Sequence, residues 1–228
     1  MNKLVCICST LLLLYCQVSY ALPVSSPGDS VKIKSVPYSW TWVDKPELYK
    51  VTSPNSLQIT AAKGTDLYTF VDGSYYTNNA PKLLFKPDSN FIFSAKVKTP
   101  FNSMYDGGAI LLYSDGENWA KLLFEKLDEK HIGVGSSVIK DKKTDDNYHI
   151  QVAAKEIYLK VAKAGKVFCF YYSTDGKTWN ILRTFAYATT APMQIGFYAQ
   201  SPKGPKCVVD FLDIRYVPRG FKDFNTGE

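Results

Sequence analysis

Trp119, Lys121, Leu123 and Glu125 are spaced two apart and interleave with Ala120, Leu122 and Phe124. In an extended strand successive side chains point to opposite faces. The apolar second set therefore reads as core, and the first lines up an indole, an ammonium and a carboxylate on the other face. An indole suits the apolar face of a pyranose ring, and charged heads beside it suit hydroxyls. A solvated strand carries the same alternation, so the pattern by itself assigns no role. Asp66 and Asp106 stand in or beside turns, where carboxylates commonly cap backbone amides. With Glu125 they are also the groups from which a glycosidase could draw two carboxyls ~5–10 Å apart, although no Glu-x-Asp-x-Glu strand motif sets such a geometry. The chain has two histidines, His131 and His149, neither with Cys or carboxylate at metal-ligand spacing, and both read as surface or half-buried strand residues. Gly-x-Ser-x-Gly, phosphate-loop, Gly-x-Gly-x-x-Gly and His-Glu-x-x-His motifs are absent. Trp40 and Trp42, two apart, share one strand face as core aromatics or as a sugar platform. Trp179 follows a turn and is expected to pack back on its own hairpin.

The elements that must position these residues read as strands. Phe91, Phe93, Ala95 and Val97 alternate with Ile92, Ser94, Lys96 and Lys98. Ala109–Tyr113 ends at the turn Ser114-Asp115-Gly116, and Trp119–Phe124 is its hairpin partner. His149–Ala154 with Ile157–Ala162, then Val167–Tyr172 with Trp179–Phe185 around Asp175-Gly176, read as two further pairs. Ser56–Ala61 precedes them, and Ile195–Ala199 and Val208–Val217 close the set. Helix-friendly composition in 152–164 is outweighed by the alternation of Ile157, Leu159 and Val161. Short strands recurring about every 8–12 residues, with no long 3.6-residue apolar period, mark an all-β sandwich.

The chain has 228 residues, 46% hydrophobic and 21% charged, a balance that excludes a disordered protein. Its net charge of +6 is spread out; the basic spot Lys140, Lys142, Lys143 is interleaved with Asp141, Asp145 and Asp146, so no nucleic-acid partner is expected. Lys3, the apolar run through Leu11–Leu14 and Ser19-Tyr20-Ala21 read as a signal peptide over 1–21, which places the protein in a secreted, extracellular or periplasmic setting. No later run approaches the ~20 apolar residues of a membrane span. Residues 22–39 form a lead-in, loose over 22–30, 40–217 the sandwich, and 218–228 a frayed tail. Cys6, Cys8 and Cys16 leave with the signal. Cys169 and Cys207 remain, either bridged in an oxidising compartment or two buried thiols. No cofactor is expected; calcium, which often supports lectin sandwiches, stays open as an alternative without an Asp-x-Asp-x-Asp loop to hold it.

Several stretches together resemble a known family: the concanavalin A-like β-sandwich domain of unknown function often labelled "regulation of enolase", and more distantly the C-terminal sandwich of family 43 β-xylosidases. They are Gly64-Thr65-Asp66-Leu67-Tyr68, Asn78-Asn79-Ala80-Pro81, Tyr105-Asp106-Gly107-Gly108 with Asn118-Trp119-Ala120-Lys121 and Glu125, Ser136-Ser137-Val138, Tyr172 to Trp179, and Gly196 to Pro202. Gly107 departs from the Gln common in the family. The resemblance spans roughly Trp40 to Val217. It implies a two-sheet antiparallel jelly-roll with one concave face, and no established reaction. On that footing Asp66, Tyr68, Asp106, Trp119, Lys121 and Glu125 are the expected ligand residues of a non-catalytic glycan-binding module, with Trp119 and Tyr68 stacking on sugar rings. The alternatives are a glycoside hydrolase or lyase using Glu125 with Asp106 or Asp66, and a protein-interaction sandwich whose polar face is ordinary surface. The last follows if Asp66, Asp106, Trp119 and Glu125 fail to converge in one concavity.

Overall fold

The computed structural model describes residues 31–189 and 191–228; the signal peptide expected over 1–21 and the loose stretch 22–30 lie outside them. The strands in chain order are β1 (Thr41–Val43), β2 (Tyr49–Ser53), β3 (Ser56–Ala62), β4 (Leu67–Thr69), β5 (Tyr76–Asn78), β6 (Lys82–Phe85), β7 (Phe91–Lys98) and β8 (Gly107–Asp115). They continue with β9 (Asn118–Lys126), β10 (Ile132–Lys140), β11 (Lys143–Gln151), β12 (Glu156–Ala164), β13 (Val167–Ser173), β14 (Asn180–Ala186), β15 (Gln194–Gln200) and β16 (Lys206–Val217). Two seven-stranded sheets result, ordered β1-β6-β15-β8-β9-β10-β11 and β14-β13-β12-β7-β16-β3-β2, with β4-β5 as a separate two-stranded ribbon. Neighbours in both sheets run antiparallel. The described residues contain no helix.

Alternation explains the layering. Phe91, Phe93, Ala95 and Val97 of β7 face inward with no exposure, as do Ala120, Leu122 and Phe124 of β9. Aromatic contacts tie the sheets together, Phe197 stacking on Phe211 at 4.3 Å and meeting Phe93 at 5.1 Å, while Trp40 stands edge-on to Phe85 of the first sheet at 4.7 Å. Such pairs add about 0.5–1.5 kcal/mol each beyond the area they bury. Trp40 and Trp42 are thus core or core-flanking residues. Val31, Ile33 and Val36, in the stretch assigned to a lead-in, are buried in the same core.

Two expectations need correction, and the alternative left open for Cys169 and Cys207 is decided. His149–Ala154 does not pair with Ile157–Ala162: β11 pairs with β10 at the edge of the first sheet, whereas β12 lies between β7 and β13 in the second. The short link 152–155 crosses between layers, and a short link between two extended runs imitates a hairpin in sequence. The two cysteines are free thiols. Cys169 on β13 and Cys207 on β16 have β12 and β7 between them, and three strand spacings of ~4.8 Å exceed the ~7 Å Cα separation that a disulfide tolerates. Burial instead pushes the Cys207 thiol up to about 12. The tail is not frayed. Tyr171 donates to the Phe224 carbonyl at 2.7 Å, and Lys160 bonds the Thr226 carbonyl at 2.9 Å and the Glu228 carboxylate. These contacts strap residues 221–228 across the outer face of the second sheet, beside Trp179, whose ring carries the Lys160 ammonium at 3.8 Å.

Candidate functional site

The outer face of the first sheet is divided by the β4–β5 ribbon. On one side Trp119, Leu111, Tyr113, Ile139 and Tyr198 form an apolar cluster with Leu67 and Ala80 of the overlying segment. On the other side the sheet lies open as a cavity of about 800 Å³, with Lys121, Leu123 and Glu125 of β9 on its floor, among the residues that line it. Tyr68, Phe70, Val71 and Tyr75 from the ribbon line it, as do Asp145, Asp146, Asn147 and His149 of β11 and Tyr105, Gln200, Pro202 and Lys203.

β4 is held across the strands by polar contacts. Lys121 Nζ donates to the Leu67 carbonyl at 2.7 Å, Thr144 Oγ1 to the Thr69 carbonyl at 2.7 Å, and Tyr68 Oη to Asp146 Oδ2 at 3.1 Å. The Lys121 ammonium sits 5.5 Å from the ring centres of Tyr68 and Trp119 and 5.6 Å from that of Tyr198. An ammonium has three donors. Among the described residues one hydrogen bond is formed, and no carboxylate stands at ion-pair distance, although the side chain is only 3% exposed.

The carboxylates are joined through buried partners. Asp66 Oδ1 accepts the Leu67 amide at 2.8 Å and lies 3.4 Å from the Tyr198 hydroxyl; Oδ2 accepts Tyr75 Oη at 3.3 Å. Tyr198 also hydrogen-bonds Gln200 Oε1, and Gln200 Nε2 donates to Glu125 Oε2 at 3.0 Å and to the Tyr105 carbonyl at 2.7 Å. Burial raises the Asp66 carboxyl above its ordinary range against the opposing pull of Lys121. Burial also raises the Tyr68 phenol, and the adjacent Asp146 adds to that rise. On the far side of Glu125, Oε1 lies 2.7 Å from His149 Nε2; the contact is off the N–H axis, so the nitrogen has the proximity of an ion pair without an aligned hydrogen bond.

Of the six residues expected from sequence, Asp66, Tyr68, Lys121 and Glu125 meet in this cavity. Trp119 and Asp106 do not. Trp119 is fully buried beneath the ribbon and offers no face to a ring. Asp106, also with no exposure, accepts the Ser103 amide at 2.9 Å and the Ser201 hydroxyl at 2.8 Å, the turn-capping role open to it from the start. The set named as a test of convergence therefore splits, with Asp66 and Glu125 inside and Asp106 and Trp119 outside; this outcome counts toward the protein-interaction reading, and a ligand site has to rest on Asp66, Tyr68, Lys121 and Glu125 alone. His149, Gln200, Tyr75 and Tyr105 were not foreseen. His149 was read as an ordinary strand residue, and the signal available for it was a Gly-x-Gly in the strand alongside. Among the described residues no three His, Cys, Asp or Glu side chains cluster as metal ligands, and no helix is long and apolar enough to cross a membrane.

Fold and site together define a two-sheet antiparallel sandwich carrying a roofed, polar and aromatic cavity on one outer face. The chain belongs to the DUF1349 family, described as "Protein of unknown function", which it matches over residues 42–219. It is similar to the "Regulation of enolase protein 1" of Saccharomyces cerevisiae, 23% identical over 174 residues that cover 76% of this chain and 86% of the yeast protein. Among solved structures it is similar to a functionally unknown protein from Saccharomyces cerevisiae, with TM-score 0.71 and 21% identity over 78% of this chain and 96% of that one. It is also similar to the GH43 protein BlXynB of Bacillus licheniformis, with TM-score 0.63 and 18% identity over 78% of this chain and 36% of that protein. The fold expected from the sequence, and the likeness to the sandwich of GH43 proteins, are both present.

Proposed function

We propose that the protein is a secreted, lectin-like module that binds a neutral or weakly charged glycan, without catalysis, in the cavity beside β4. The observation that carries this reading is Lys121: a buried ammonium on the cavity floor, with donors to spare and no carboxylate partner among the described residues, ringed by aromatic walls. Saccharides present apolar ring faces to aromatic side chains and hydroxyls to charged heads, and this lining offers both. Tyr68, Tyr75 and Tyr105 supply the faces; Lys121, Glu125 and Asp66 supply the donors and acceptors. The volume lies within the ~300–1,000 Å³ of small-ligand sites, and affinity is expected to be modest because an open mouth leaves water competing. The signal-like stretch at 1–21 supports export.

A glycan array probed with wild-type protein and with Tyr68→Ala is the test. Selective binding that weakens in the variant supports the reading; a blank array from folded wild-type protein removes it and turns weight to a protein partner. A second reading rests on two carboxyl groups in different surroundings, Asp66 raised by burial and Glu125 against His149, as acid–base pairs require. Release of reducing sugar, abolished by Glu125→Gln, would establish hydrolysis; no release under either protein discards it.

A further inference from the structure

β10 and β11 pair regularly except at one point. Val134 faces Ile150, yet Ser136 faces Asn147, so β11 carries one extra residue opposite Gly135. A bulge of this kind shifts strand parity and re-aims side chains. Asn147 fills the gap in the ladder: its Oδ1 accepts the Ser136 amide at 2.9 Å and the Ser136 hydroxyl at 2.6 Å. The outcome is that His149 lies over Gly135 on the cavity side, and Ile150 falls opposite core-facing Val134. The glycines make the seat. A Cβ on Gly135 would stand 2.5 Å from the His149 ring, and one on Gly133 would stand 2.8 Å from His149 Cβ. Any other residue at 135 would push the imidazole away from Glu125.

From this geometry we infer that His149 is a ligand-contacting residue, paired with Glu125 to bind two adjacent hydroxyls of an uncharged sugar. The inference rests on the carbohydrate reading of the cavity and deepens it by naming the substrate class. Glu125 is 6% exposed; Oε2 is engaged by Gln200, and Oε1 faces His149 at 2.7 Å. A carboxylate has about four acceptor positions, so Glu125 retains capacity toward the cavity. The imidazole side chain is 27% exposed while Nε2 is buried against Glu125, so a hydroxyl is met by the other ring nitrogen, Nδ1, beside the carboxylate. Carboxylates outnumber ammonium groups around the cavity: Asp145 is paired with Arg183, while Asp66, Glu125 and Asp146 line it with Lys121 and Lys203. An acidic sugar would bring its carboxylate toward Glu125 and Asp146, whereas a neutral diol adds no charge.

Because the chain has two histidines in all, the imidazole Cε1–H signals of His131 and His149 can be assigned with one variant each. The experiment is a titration of xylotetraose, cellotetraose, mannotetraose and trigalacturonate into wild type, His149→Ala, His149→Gln, Gly135→Ala and His131→Ala. Affinity is read by calorimetry and the two histidine signals by NMR. At least one neutral probe binds, trigalacturonate binds no better than it, and the His149 signal moves on binding while that of His131 does not. His149→Ala weakens the neutral probe about tenfold, the scale of one hydrogen bond to a charged or polar group. His149→Gln retains part of the affinity, Gly135→Ala resembles His149→Ala, and His131→Ala binds as wild type. Should Gly135→Ala fail to fold, the two His149 variants carry the same test from the other side of the contact. A neutral probe that binds His149→Ala as tightly as wild type, or that leaves the His149 signal in place, overturns this inference and leaves the glycan reading standing. Preferential binding of trigalacturonate overturns the choice of neutral sugar, and no binding of any probe to wild type overturns both.

Discussion

Lys160 and Lys121 are buried on the outer faces of opposite sheets, and their surroundings differ in one respect. Lys160, 1% exposed, is met by the Glu228 carboxylate, the Thr226 carbonyl and the face of Trp179, all under the C-terminal strap. Burial lowers its pKa and Glu228 opposes that shift. Lys82, on the first sheet, follows the same pattern with Asp44 at 2.7 Å. Lys121 has rings on three sides, a single carbonyl acceptor and an open cavity in front of it. Buried charges in folded proteins are paired because desolvation costs several kcal/mol per ion. Where the chain supplies the partner, the lysine is structural; where it supplies a cavity, the remaining partner is expected from outside.

The largest effect that sharpens this comparison comes from the strap. Deleting residues 219–228 removes the Glu228 and Thr226 partners of Lys160 and opens Lys160, Tyr171 and Trp179 to water. Denaturant unfolding should show a loss of about 2–4 kcal/mol from the apolar area of Tyr171, Trp179 and Phe221 given up to water, the half-exposed Glu228 ion pair adding little. Glycan affinity at the opposite face should be unchanged. A loss below about 0.5 kcal/mol would break the claim that the strap is the structural partner of Lys160. Next in size is Lys121→Met. No ion pair is broken but the buried Leu67 carbonyl loses its donor, so unfolding free energy should fall by about 1–2 kcal/mol. A loss of several kcal/mol would place Lys121 with Lys160 as a structural residue.

The smallest effect is in pH dependence. Burial raises the Asp66 carboxyl, so the folded state holds that proton more tightly than the unfolded chain. Its contribution to stability is fully present below the unfolded value of about 3.9 and declines as pH rises through the higher folded value. Asp66→Asn removes that decline. The variant should gain on wild type as pH rises from below the unfolded value through the raised folded one, measured as the difference in unfolding free energy across that rise. A difference independent of pH would show that Asp66 is not held up by burial. Asp106 is raised by burial too, but it is common to both proteins and cancels in the difference.

The layers of this protein are legible in its sequence because alternation reports burial directly. The inward sets of β7 and β9, the hairpins β8–β9 and β13–β14, and the strand character of 157–162 all follow from period-two spacing. Alternation says which face a residue occupies and nothing of what lies over that face. Trp119 and Lys121 share a face, yet the ribbon buries the first and leaves the second lining a cavity. That ribbon consists of three-residue strands, too short to show a period. His149 escaped for a related reason. One extra residue in β11 resets its parity, and that insertion is visible only against the partner strand, where Gly133 and Gly135 make room for it.

Calorimetric titration of an array-selected glycan into folded wild-type protein and folded Lys121→Met is the most direct measurement. Weakening by about tenfold or more, the equivalent of ~1.4 kcal/mol, is the predicted result, with the strap-deleted protein binding as wild type. Equal affinity in Lys121→Met would contradict it, because the buried ammonium would then have no partner outside the chain.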